Sequence, residues 1–99
     1  LSVTGQTEDG KTVVGNVFEN YSSRLGLPLE YIVDMLTKND MVVDWVRFYE
    51  DSIKSGWKYS TLRTRVDVAL VDTFGPEYRD EVLKRLDWHH RSQQKHDDK

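Results

Sequence analysis

The sequence predicts an all-α fold, a small bundle of about five helices carrying a flexible or hairpin-like N-terminal arm and a frayed C-terminal tail. Three observations carry that prediction. From Val13 onward, apolar residues recur at three- and four-residue spacings, the period of a helix face rather than of a strand. Glycine or proline marks an end of each of those runs, at Gly26, Pro28, Gly56 and Gly75-Pro76. The chain has 99 residues, 37% of them hydrophobic and 11% aromatic, with no cysteine, so one core held by packing alone must support it.

Val14, Val17, Phe18, Tyr21 and Leu25 form the first apolar stripe, with Gly26 where a left-handed C-terminal cap would fall. Pro28 suits the first turn of a second helix, whose inner face is Leu29, Ile32, Val33 and Leu36 and whose end is Asn39. Asp40 reads as the N-cap of a third helix, with Val42, Trp45, Val46, Tyr49 and Ile53 inward and Gly56 as its stop. Met41, Val43 and Phe48 lie partly off that stripe, which marks this helix as central and Trp45 as the residue the others surround. Ser60 or Thr61 opens a fourth helix built on Leu62, Val66, Ala69, Leu70 and Phe74. Gly75-Pro76 closes it and starts a fifth, with Tyr78, Val82, Leu86 and either Trp88 or His89 inward.

The ends differ from this body. Residues 1–12 read either as a hairpin about Asp9-Gly10 or as a loose arm, because two strands alone are marginal in water. Residues 13–91 form the single helical domain, and SQQKHDDK, residues 92–99, is a polar tail expected to fray. The opening LSVTGQTEDG is polar or acidic where a secretory leader would be basic and then apolar. With no apolar run near the ~20 residues of a membrane span, the expected default is a soluble chain, no membrane partner and a cytoplasmic setting. The tripeptide Asn20-Tyr21-Ser22 matches a glycosylation acceptor but falls on an expected helix, and it reads as chance.

Catalysis is not expected. A nucleophile needs a base within hydrogen-bond reach, and the histidines His89, His90 and His96 all crowd toward the C-terminal end. The glycines are isolated, so no loop cradles phosphate, and the carboxylates fall mostly on polar helix faces. Asp87 and His90 share a helix face, yet two ligands do not hold a metal. No metal or cofactor is expected.

Charge is uneven along the chain. Nine acidic and four basic residues precede position 52 and eight and ten follow, so the net −3 divides into −5 and +2. The stretch SIKSGWKYSTLRTRV, residues 52–66, holds Lys54, Lys58, Arg63 and Arg65 and no acid. It approximates a helix-turn-helix whose second helix opens with Ser60-Thr61-Leu62-Arg63-Thr64: Arg63 and Arg65 to guanine edges or phosphate, Thr61 and Thr64 to phosphate or thymine methyls, Lys54 and Lys58 to the backbone. Residues 22–35 fit the same loose template while carrying Glu30 and Asp34, so the pattern mostly detects two helices joined by a glycine turn. Trp57, Tyr59 and Trp88 stand at helix ends or off the apolar stripes, where aromatic residues serve partner contacts. The leading expectation is therefore a non-catalytic helical module that binds protein, a second copy of itself included; DNA binding through residues 52–66 is the alternative.

Overall fold

The β-branched residues Val13, Val14, Val42 and Val43 pair as neighbouring strands, and this overturns the all-α expectation. The computed structural model describes residues 2–19, 21, 28–73 and 75–97. In order these form β1 (Val3–Gln6), β2 (Thr12–Val14), α1 (Val17–Glu19), α2 (Leu29–Lys38), β3 (Met41–Val43), α3 (Trp45–Lys54), α4 (Tyr59–Thr73) and α5 (Pro76–Asp97). The protein is mostly helical, with a mixed three-stranded sheet in the order β1-β2-β3.

The N-terminal arm is the hairpin of the two readings. β1 runs antiparallel to β2, with Gly5 opposite Val13 and Gln6 opposite Thr12. Gly10, at φ 87°, closes the turn by donating its N–H to Thr7 O at 3.0 Å, and the Lys11 N–H reaches Thr7 Oγ1 at 3.0 Å. A hairpin this short would be marginal alone; β3 supports it by pairing parallel to β2, Val13 to Val42 and Val14 to Val43. Parallel strands need a long crossover, and the segment containing α1 and α2 supplies it.

The third helix of the sequence reading begins later than Asp40. That residue sits at φ 57°, in a left-handed turn after α2, and from there the chain leaves extended. Asp44 is the cap instead: its Oδ1 accepts from the Arg47 N–H at 3.1 Å. Its Oδ2 accepts from the Thr4 hydroxyl at 3.0 Å and its own N–H donates to Val14 O at 2.9 Å, so one residue fastens the hairpin to the start of α3. Val43, facing the core beside its partner Val14, is buried as a strand residue rather than as part of a helical stripe.

The first expected helix is also revised. Val14 belongs to β2, and the α-helix begins at Val17 and is described over Val17–Glu19. Asn20, the Ser22–Leu25 stretch and the Gly26 cap lie outside the described residues, as does Phe74. α2, α4 and α5 bury the expected stripes, with Leu62, Val66, Ala69, Leu70 and Leu86 fully enclosed. The tail expected to fray from residue 92 continues α5 as helix through Asp97.

The core gathers where α3 crosses the bundle. Trp45 is buried and donates its indole N–H to the Tyr78 hydroxyl at 3.2 Å, but the centre is Phe48. Its ring meets those of Phe18 and Trp45 edge-on, each at 5.5 Å. Among the described residues, no helix is long and apolar enough to cross a membrane.

Candidate interaction surfaces

Gly56, at φ 97°, ends α3 and turns the chain toward α4, and the basic stretch is this joint. Trp57 follows it half-buried, edge-on to Phe18 at 5.3 Å and to Tyr21 at 5.9 Å. The Trp57 ring thus plugs one end of the core. Arg65 lies over the same ring, 5.9 Å from its centroid, and donates to the Tyr21 hydroxyl at 2.9 Å. Lys54, Lys58, Ser60, Thr61 and Thr64 are exposed around the joint, with Thr64 Oγ1 turned back to Ser60 O at 2.9 Å.

On the other side of α4, Arg63 clasps Asp87 of α5 with two hydrogen bonds, Nε to Oδ1 at 2.9 Å and Nη2 to Oδ2 at 3.2 Å. The Tyr59 hydroxyl donates to the same carboxylate. Tyr59 also stacks on His90, centroids 4.1 Å apart, and His90 Nδ1 shares a 2.8 Å hydrogen bond with the Tyr49 hydroxyl of α3. His89 turns inward edge-on to Tyr49, its shielded Nε2 lying 3.8 Å from Glu50 Oε2 without a hydrogen bond. Three helices are joined here by one polar and aromatic cluster. It contains no three-ligand metal group among the described residues.

Charge within the cluster is locked. Arg63, with Tyr59 as second donor, holds the Asp87 carboxyl below its ordinary range against the opposing effect of burial. Burial and the Asp87 carboxylate push the Tyr59 phenol well above its ordinary value, the reverse of what an activated nucleophile needs. A lowered carboxyl pKa contributes stability that is present above the unfolded value near ~4 and lost as pH falls through the folded one. Tyr59, with its raised pKa, contributes stability that is present below ~10 and lost as pH rises through its folded value. Asp87→Asn is therefore expected to cost about 1–2 kcal/mol at neutral pH, discounted because both partners are partly solvated. Urea titrations from pH 7 down to 3 should show the variant losing its stability deficit relative to the parent as acid is added; a deficit constant with pH would refute the ion-pair origin.

Trp88 differs from the other two aromatics proposed for partner contact. It is 68% exposed on the outer side of α5, while Tyr59 and Trp57 are half-buried and spent on internal packing. Tyr31 and Met35 on α2 and Val68 and Val71 on α4 are further exposed apolar side chains, and nothing in the periodicity singled them out. Between α3 and α5 lies an open groove of about 760 Å³ lined by Arg47, Tyr49, Glu50, Lys54 and His90, mixed in charge. The structure thus separates the proposed nucleic-acid residues: Arg63 faces α5, Arg65 faces Tyr21, and the lysines flank the joint between them. The roles of Asp87 and His90 were missed by sequence reasoning, since their partners lie on other helices. No protein-family model, curated protein or solved structure matches this chain.

Proposed function

We propose that the chain is a non-catalytic binding module that acts through protein–protein contact. The observation that carries this reading is Trp88, a large amphipathic ring held 68% exposed on a long helix that is otherwise anchored to the body. An exposed indole offers a partner a large contact area with little ordering cost. The polar cluster at Asp87 supports the absence of catalysis, because its charges are paired and its tyrosine is moved away from reactivity.

The alternative, nucleic-acid binding through residues 54–65, is supported by Lys54, Lys58, Ser60 and Thr61 being exposed at the start of α4. It loses strength because Arg63 and Arg65, its two base-reading candidates, are committed to Asp87 and to Tyr21 and Trp57. The two remaining lysines release few counterions against a net charge of −3.

A photoreactive residue placed at position 88, and at position 58 as control, separates the readings in cells. Crosslinking to protein at 88 and not at 58 is expected. Absence of any protein adduct at 88 would sink the proposal, as would salt-sensitive duplex binding that disappears in Lys54→Ala/Lys58→Ala.

A further inference from the structure

The outer side of α5 carries a charge order that reads as its own complement. From the N-terminal end it presents Glu77, Glu81, Lys84, Trp88 and Arg91, all exposed, while Val82, Leu83 and Leu86 fill the opposite side. Acidic groups come first and basic groups last. We infer that this face binds a second copy of the chain, α5 against α5 in antiparallel array about a two-fold axis level with residue 86; the inference rests on the protein-binding reading above.

The register follows from simple helix geometry. In an antiparallel pair centred at 86, Glu81 of one copy lies level with Arg91 of the other, and Lys84 with Trp88; symmetry repeats each contact. Two ion pairs and two cations over indole rings result, and the tryptophans meet near the axis where water is best excluded. Parallel pairing would instead oppose Arg91 to Arg91 and Glu81 to Glu81, so charge selects the antiparallel arrangement.

Existing contacts of these groups are weak competitors. Glu81 touches Arg85 at 3.8 Å with both side chains mostly solvated, and Arg91 helps lower the Asp87 carboxyl from a distance. A one-helix interface is small, so the association is of the weak, salt-sensitive class.

Charge exchange tests it. Sedimentation equilibrium at low salt should show the 11.6 kDa chain dimerising as concentration rises, with Trp88 emission moving to shorter wavelength. Glu81→Lys and Arg91→Glu should each weaken the dimer by at least ~10-fold, since each opposes like charges twice. Mixing the two variants should restore association: the lysine introduced at position 81 of one copy then meets the glutamate introduced at position 91 of the other, and the unaltered Arg91 and Glu81 pair as in the parent. Trp88→Ser should abolish both the dimer and the spectral shift, with the circular dichroism of all variants confirming the fold. A chain that stays monomeric throughout, or a dimer indifferent to the exchanges, overturns the inference. A crosslink at position 88 to a different protein, with no dimer, would discard the self-pairing and leave the protein-binding proposal standing.

Discussion

Phe48→Ala is expected to cost about 3–5 kcal/mol, enough to leave a domain of ordinary stability on the edge of unfolding. The ring is 1% exposed and touches the rings of Trp45, on its own helix, and of Phe18 and Tyr21, in and just after α1. Removing it opens a cavity that these stiff aromatic neighbours cannot close by changing rotamer, so the loss should fall at the upper end for a buried aromatic. Phe48→Leu, which keeps most of the volume, should cost about 1–2 kcal/mol. Urea unfolding followed by circular dichroism measures both. A deficit below ~1 kcal/mol for the alanine variant would show that the cluster is not the centre of the core.

Val13→Pro should be nearly as damaging, at about 3 kcal/mol or more. β2 is the middle strand, paired to β1 on one side and β3 on the other, so a residue in it has ladder partners in both directions. Proline lacks the N–H and its ring crowds the neighbouring backbone. The same substitution in a loose arm would change stability by less than ~0.5 kcal/mol, so thermal melting of this one variant distinguishes a hairpin built into the body from a dispensable extension.

The helical part of the fold was legible because its information is local. Leu62, Val66, Ala69 and Leu70 are buried at the spacings they show in the sequence, and Gly75-Pro76 breaks the chain where the two residues say it must. The β1–β2 hairpin was one of two readings open at Asp9-Gly10, but the third strand was not legible, because its contact pairs Val13-Val14 with Val42-Val43 across two helices. Asp40 and Asp44 are equally good caps by type, and Val42 continues the stripe of Trp45 and Val46 by spacing alone. Only the run of two valines after Met41 hinted at extended backbone. The same limit applies to the surfaces. Arg63 and Arg65 look alike in sequence, yet their partners Asp87 and Tyr21 lie in distant segments, so the internal contacts of these two arginines could not be read from the stretch itself. Trp88 was legible only in part: the sequence left either it or His89 on the inner face of the fifth helix while also naming it for partner contact, and the structure leaves it exposed.

The parallel pairing of β2 with β3 also orders events during synthesis. A chain emerging from the ribosome presents the hairpin before the third strand it leans on, and before Asp44 has been added. Residues 3–14 therefore lack their third strand until the crossover has been made, and a translational pause that holds β3 back while they have already emerged would prolong their exposure to proteases.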